Sequence, residues 1–540
     1  MKNLLIFFCV NSVVKSELYE LNIVHYNDFH ARFVETSLVG RTCNPSNAPC
    51  IGGFARLATL IRDAVAREPH SLVLNGGDSF QGTIWYNLLR WNVTQDFMNM
   101  IDHDAHVLGN HEFDNGIDGL VPYLQHLNAP VVTANINDDD EPTIQGLYQP
   151  SIIVEKNGRK IGIIGVLIST TPEMAVTGNL KFTDEVEAVK NESEKLHAAG
   201  VDIIVVLSHC GLNIDKDIAL NAGPYVDIIV GAHSHSLLYN TDLPEGIPFE
   251  NEGPYPTVVE NEDKSVLIVQ AAANTAFLGE IKLYFNDHGA LVNWTGNPHY
   301  VANEIEQASD VLEKIEKYLP LITERASAHV GVTKVQLSSS CACAECNLGS
   351  FMCDSMIDAA IEKAEGNNWG HAHFCIINRG NIRTGIEPGN VTFEQLLQTS
   401  PYENNVEIFE LQGNYVLEML EFALSNSGTW TGARMLQVSG MRVAIDGSQP
   451  VNSRVTSVTI RCIECDVPRY HPLDVNKMYR IVTQSFVGGG GDGFTMISDN
   501  RQNVQILGVD YVLLQEYMER MSPVMPDVDG RLQLTNPCVS

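Results

Sequence analysis

The sequence predicts an α/β fold in two parts. A layered N-terminal domain of β-sheets flanked by helices spans residues 17–305, and a linker helix over 306–325 joins it to a second α/β domain over 326–540. Three observations predict this. Short apolar runs alternate with segments of helical spacing through the first 300 or so residues, the pattern of strands and helices stacked in layers. A charged helical stretch, Glu304 to Arg325 with Pro320 near its end, then interrupts that alternation. From about Ala326 the texture changes, with most of the cysteines and the glycine run Gly488 to Gly491.

The elements follow in order. Leu18–Tyr26 reads as a strand running into Asn27-Asp28-Phe29-His30, and Phe54–Ala66 places Phe54, Leu57, Leu60, Ile61 and Val65 on one helical face. Ser71–Leu74 is a second strand, ending in Asn75-Gly76-Gly77-Asp78, and Val107-Leu108 closes a third, ending in Gly109-Asn110-His111-Glu112. Pro130–Ile136 is a further strand, and Ile152–Leu167 a hairpin turning at Asn157-Gly158. Asp184–Ala199 is helical. Val201–Leu207 and Val226–Val230 are buried strands, delivering Ser208-His209 and Gly231-Ala232-His233-Ser234-His235 at their ends. In the second half, Ser350–Ala364 and Asn414–Ser425 read as helices and Tyr479–Val487 as a strand.

At 540 residues the chain is long enough for two to four domains. The net charge of −32 argues against a nucleic-acid groove or an anionic membrane surface, and sits awkwardly with an anionic substrate, for which bound metal ions are one remedy. Lys2, the apolar run Leu4–Val10 and Val14-Lys15-Ser16 read as a secretory signal over residues 1–16. No later stretch is apolar for the roughly 20 residues a membrane span needs. The polar tail with Pro537 carries no lipid-anchor signal. The expectation is a secreted, extracellular protein without a membrane anchor. Twelve cysteines fit that route, with Cys43–Cys50, Cys341–Cys346 and Cys462–Cys465 as short-loop pairs and Cys210, Cys343 and Cys538 unassigned. Asn92, Asn191, Asn293 and Asn390 each open a glycosylation sequon.

The chemistry gathers at the strand ends. Asp28, His30, Asp78, Asn110, His209, His233 and His235 each follow an apolar run and offer carboxylate, amide or imidazole donors, a mixed set that suits zinc, manganese, iron or cobalt. Asp78 could bridge two ions about 3.5–4 Å apart, the arrangement that clamps an in-line displacement at phosphorus. His111 can carry a proton, and Asp114 three residues on can hold its imidazole.

These motifs, in this order, resemble those of the ecto-5′-nucleotidase family, which includes secreted arthropod apyrases, within the metallophosphoesterase superfamily; the likeness covers nearly the whole chain. The resemblance implies two divalent ions, zinc first, with manganese, cobalt, magnesium or calcium as alternatives. It implies Asp28, His30, Asp78, Asn110, His209 and His233 as ligands. One ion would lie on Asp28, His30, Asp78 and one His of the pair, with His233 preferred, and the other on Asn110, His209 and the shared Asp78. His235 is expected to line the site, facing substrate or standing behind the ligands. His111 and Asp114 match the catalytic dyad. In the second half, Asn378 and Arg383 match nucleotide contacts, Tyr402 and Phe486 the aromatics that stack on the base, and Asp492 a carboxylate for the ribose, with Arg379 a further cation. The C-terminal domain is implied to turn about Glu304–Arg325 to bring nucleotide to the metals.

One position departs. Where the family often places a phosphate-binding Arg after the first Cys of the Cys341–Cys346 pair, this chain has Ala342. The glycine run fits G-x-G-x-x-G at Gly488, Gly490 and Gly493, but without a clear helix after it a dinucleotide site is rejected. The expected activity on extracellular purine nucleotides is therefore an apyrase taking ATP and ADP to AMP. The alternatives are a 5′-nucleotidase making adenosine and a secreted non-catalytic nucleotide or receptor binder.

Overall fold

The structure is a computed structural model. It describes residues 18–536 apart from 39–42, 44–49, 244–246, 248, 362, 365–367, 401–403 and 426–433. The expected signal segment 1–16, Tyr402 and Cys538 lie outside the described residues.

Two β-sheets face each other in the first half. One orders its strands Leu291–Gly296, Phe277–Phe285, Tyr19–Tyr26, Leu72–Asn75, Ala105–Val107 and Val131–Val132, the last four mutually parallel. The other runs Thr257–Glu260, Ser265–Val269, Ile228–Val230, Ile203–His209, Arg159–Leu167 and Ser151–Lys156, parallel through its four central strands. Side chains alternate across each strand, so both faces are buried against something. Ile23, Leu72, Leu74 and Val107 point between the sheets and meet Ile163, Val205 and Ile229. Their neighbours Val24, Val73 and Leu108 point outward and pack under Phe54, Leu57, Ile61 and Phe97 of the covering helices Phe54–Arg67 and Ile84–Met98. On the far side Val189, Leu196 and Ile218 of the helices Glu185–Ala198 and Leu212–Asn221 close the second sheet. Asp184 caps the first of these, accepting from the Glu187 N–H.

In the second half a five-stranded sheet runs Leu436–Ser439, Phe374–Asn378, Met478–Gln484, Asn405–Gln412 and Gln502–Val509. Cys375 and Ile377 face the helices Asn347–Ile361 and Asp510–Met521. Phe374 and Ile376 face the helix Gly413–Ala423 and a smaller four-stranded sheet. The halves touch: Asn405 Nδ2 donates to the Met174 carbonyl, and Ile84 and Leu88 pack against the C-terminal core.

Several elements differ from expectation. The strand read over Pro130–Ile136 is two short strands, Val131–Val132 and Ile136–Asn137, in different sheets. The strand read as Tyr479–Val487 ends at Gln484, because Ser485–Gly488 turns into a short helix. The joining helix begins only at Ser309, runs to Ala326, and keeps Pro320 inside it. It is packed as well as connecting: Val311, Ile315 and Ile322 are buried in the N-terminal core, and Tyr318 donates to Asp96 Oδ2 at 2.6 Å. Among the described residues no helix is long and apolar enough to cross a membrane.

Candidate active site

The parallel strands of both sheets end at one edge, so the polar residues after Tyr26, Asn75, Val107 and Val230, and His209 at its strand's last position, converge there. Crevices at the carboxyl ends of parallel strands are where α/β sheets bind ligands. Reversing direction so sharply puts non-glycine residues into left-handed backbone: φ is 50° at Asp28, 48° at His30, 51° at Asp78, 71° at His233 and 55° at His235. Such conformations cost of order 1–3 kcal/mol each and persist where surrounding contacts over-determine them. Those contacts are present. Asp28 N–H donates to Gly77 O at 3.1 Å and His30 N–H to Asp78 O at 2.9 Å, tying the first two loops together. Gly109 is required by close approach, since a Cβ there would meet Asp78 Oδ1 at 2.1 Å.

Two donor groups result, and a third, of His30, Asp78 and His111, shares one residue with each. Asp28, His30 and His235 form one: His235 Nε2 is 3.2 Å from Asp28 Oδ1 and 3.1 Å from His30 Nε2. Asp78, His209 and His233 form the other: His209 Nε2 is 3.2 Å from Asp78 Oδ2, and His233 Nδ1 is 2.9 Å from Asn110 Oδ1. Asp78 also lies 3.9 Å from His30 Nε2 and so reaches both groups. The pair His233 and His235 is thus allotted differently from expectation. His233 stands with Asn110 and His209, while His235 stands beside Asp28 and His30 instead of behind them.

The donor set fits cations. His209 Nδ1 donates to the Gly76 carbonyl at 2.7 Å, which turns Nε2 into the site. That Nε2 and Asp28 Oδ1 are both buried and make no hydrogen bond, although other donor atoms stand 3.2 Å away. Buried polar atoms that converge without pairing are what a metal site supplies. Burial holds His30 down at about 3 and His233 at about 4, so both imidazoles are neutral at pH 7, as ligation requires. Burial pushes the other way on Asp78, but His209 and His111 outweigh it and keep the carboxyl well below its ordinary range. For His209, burial lowers the imidazolium but Asp78 holds it up at about 9, a proton that a bound cation would displace.

His111 stands beside these groups. Its Nδ1 is 2.7 Å from Asp114 Oδ2, and its ring centroid is 5.3 Å from that of His30. Its main-chain N–H donates to Asp78 Oδ1 at 3.0 Å. Burial would lower the imidazolium, but Asp114 and then Asp78 raise it to about 10. The His111 side chain is 28% exposed and Asp114 only 1%, so the ring can meet a ligand while its partner is shielded.

In the second half the structure brings Asn378 and Asp492 together, Asn378 Nδ2 donating to Asp492 Oδ2 at 2.7 Å. Phe486 is half-exposed on its short helix and lies over Gly491, where a Cβ would come 2.7 Å from the ring. Arg379 and Arg383 are exposed, and Arg383 Nη1 donates to Gly380 O at 3.2 Å.

Known proteins place the chain. The calcineurin-like phosphoesterase family model matches residues 21–237, and the 5′-nucleotidase C-terminal domain model matches residues 329–499. An apyrase of Tabanus yao is 41% identical, covering 96% of this chain and 94% of its own length. A snake venom 5′-nucleotidase of Crotalus adamanteus is 35% identical, covering 98% and 91%. This chain belongs to the 5′-nucleotidase family. A crystal structure of a 5′-nucleotidase precursor from Thermus thermophilus superposes with a TM-score of 0.65 at 32% identity, over 96% of this chain and all of that one. Membership in this metallophosphoesterase family implies two divalent ions, and the two donor groups are their candidate sites.

Sequence reasoning gave no role to three residues of this 5′-nucleotidase-family centre. Gln81 Nε2 donates to Asp114 Oδ2 at 2.9 Å, and Asn27 Nδ2 donates to Asp28 Oδ2 at 2.6 Å. Glu112 is buried against main-chain N–H groups of two loops. Adjacency to Asp28 and His111 was the only sequence signal for Asn27 and Glu112, and Gln81 had none. The cysteines also sharpen. The three short-loop disulfides are present, and Cys343 is disulfide-bonded rather than free. The free thiols among the described residues are Cys210, Cys353 and Cys375, all buried. The four sequon asparagines are exposed.

Proposed function

We propose that this chain is a secreted apyrase, hydrolysing extracellular ATP and ADP to AMP and phosphate. The observation that carries the hydrolase reading is the His111–Asp114 pair set against two donor groups, with Asp78 of the second lying 3.9 Å from His30 of the first. Asp28, His30, His235 and Asp78 would hold one cation and Asp78, Asn110, His209 and His233 the other, with zinc favoured by the imidazole-rich, thiolate-free donors. When bound, the cations supply Lewis-acid polarisation of the phosphoryl oxygens and a water of lowered pKa.

The protein's own part is placement and protons. His111, oriented by Asp114, hydrogen-bonds the phosphoryl group and passes a proton to the leaving oxygen as its bond to phosphorus breaks and the bond from water forms. Asp114 keeps the ring in the orientation that presents Nε2. Phe486 supplies an aromatic face for the base, and Tyr402, matched by sequence alone, is the second aromatic of this reading. Asn378, Arg383 and Asp492 receive the nucleotide's polar groups, with Arg379 as an additional cation near the phosphates.

Ala342 in place of an arginine favours the apyrase over the 5′-nucleotidase, because a site that lacks this cation holds the single phosphate of AMP less firmly. Likeness to an apyrase at 41% identity points the same way, while the likeness to venom 5′-nucleotidases keeps AMP hydrolysis as the second reading. Disulfides at three short loops suit an extracellular setting. Phosphate release from ATP, ADP and AMP, with and without a chelator, is the test. Release from ATP and ADP that the chelator abolishes is expected; faster release from AMP selects the 5′-nucleotidase, and none from any nucleotide leaves a binder.

A further inference from the structure

We infer that Glu112 is a positioning residue of this centre, its one carboxylate clamping the loop that carries Asp78 to the loop that carries Asn110 and His111. Glu112 is 2% exposed. Its Oε2 accepts from Asp78 N–H at 2.9 Å and from Gly109 N–H at 2.6 Å. Its Oε1 accepts from Ser79 N–H at 2.6 Å and from Phe80 N–H at 3.2 Å. Three successive main-chain N–H groups, of residues 78, 79 and 80, thus face one anion, an arrangement that the left-handed φ of 51° at Asp78 makes available. The fourth comes from the other loop. That loop answers in kind, His111 N–H donating to Asp78 Oδ1 at 3.0 Å.

All four of these partners are donors only, so the group between them must offer two acceptor atoms and no N–H. A carboxylate does; an amide of the same size does not, because its NH₂ would face two main-chain N–H groups and leave them unpaired in a buried site. The clamp therefore sets how far the Asp78 carboxylate sits from Asn110 and from the His111 ring without itself meeting a reacting atom. Outer partners that orient ligands in this way typically cost about 10–100-fold in metal affinity or activity when replaced. The inference rests on the proposed reading that Asp78 bridges two cations.

The experiment compares the full-length chain with Glu112→Gln and Glu112→Asp, each loaded with zinc. Zinc retained against a graded chelating competitor is measured, together with kcat and KM for ATP at saturating zinc and the thermal midpoint. For Glu112→Gln, zinc is expected to be lost at about tenfold lower competitor, and kcat to fall about 10–100-fold with KM within about threefold. Glu112→Asp, one methylene shorter but still donor-free, should fall between it and wild type. A Glu112→Gln chain that melts earlier yet keeps wild-type zinc retention and kcat overturns the inference, since its role is then structural alone. If Glu112→Gln does not fold, Glu112→Asp decides by the same readings; failure of both to fold also counts against a positioning role. Wild-type chain that retains no zinc would instead sink the metal assignment itself, a separate outcome.

Discussion

The Nδ1 atom of His111 lies 2.7 Å from Oδ2 of Asp114, and the same oxygen accepts from Gln81 at 2.9 Å, so the imidazole is held from behind by a carboxylate that is itself anchored. The His111 ring lies within reach of His30 and Asp78, yet its Nδ1 is taken by Asp114, and Asn110 brings its oxygen to the His233 side of the site. The His111→Ala chain should retain wild-type metal content while kcat for ATP falls about 10²–10⁴-fold, the usual range for a lost acid–base group. Elemental analysis beside turnover checks this, and loss of metal would make His111 a ligand.

His235 offers a second test. Its Nε2 atom is within 3.2 Å of Asp28 and of His30, so His235→Ala removes one corner of the first donor group. The variant should bind about one cation per chain tightly in place of two, with the His209 and His233 group intact. Titration calorimetry of the stripped chain reads the stoichiometry. Two undiminished sites would return His235 to a substrate-facing role.

Asp510 gives stability a pH dependence away from the site. Burial raises its pKa from 3.8 to about 6, only partly offset by hydrogen bonds from Ser400, Gln484 and the Tyr511 N–H. The folded state therefore holds a proton that the unfolded chain releases between about pH 4 and 6, and stability falls as pH rises through that window. By pH 7.5 the full penalty is present, on the order of 2–3 kcal/mol at most. Asp510→Asn should raise the thermal midpoint of the C-terminal half at pH 7.5 and leave it unchanged near pH 4. Calorimetry at the two pH values checks the sign.

Cys353 and Cys375 predict a further cross-link. They are buried thiols on the helix Asn347–Ile361 and the strand Phe374–Asn378, with Sγ atoms 2.7 Å apart. In an oxidising compartment this proximity should close them into a disulfide. A non-reducing digest analysed by mass spectrometry should give one cross-linked peptide containing both residues. Two separately alkylated peptides would show that they remain thiols.

Much of the centre was legible without coordinates because its signals are local. A buried strand that stops at a polar pair marks a sheet edge, and Asp28, Asp78, Asn110, His209 and the His233–His235 segment all carry that mark. The spacing from His111 to Asp114 spans a single turn, so their pairing follows from the chain itself. The long periodic helices were readable for the same reason, and the short strands after Pro130 were not, because two-residue strands carry no period.

By itself, the sequence determined the family, the two-part α/β architecture and the inventory of donors, since strand-end motifs and their order are properties of the chain. Only the tertiary structure decided which donor stands beside which. His233 and His235 are two residues apart, but left-handed turns at both aim one ring at Asn110 and the other at Asp28, and those partners come from different strands. Glu112 gains its place from N–H groups more than thirty residues away, and the helix Ser309–Ala326 gains its from Trp85 and Phe97. Local pattern sets what a residue can do; the packing of distant strands sets what it faces.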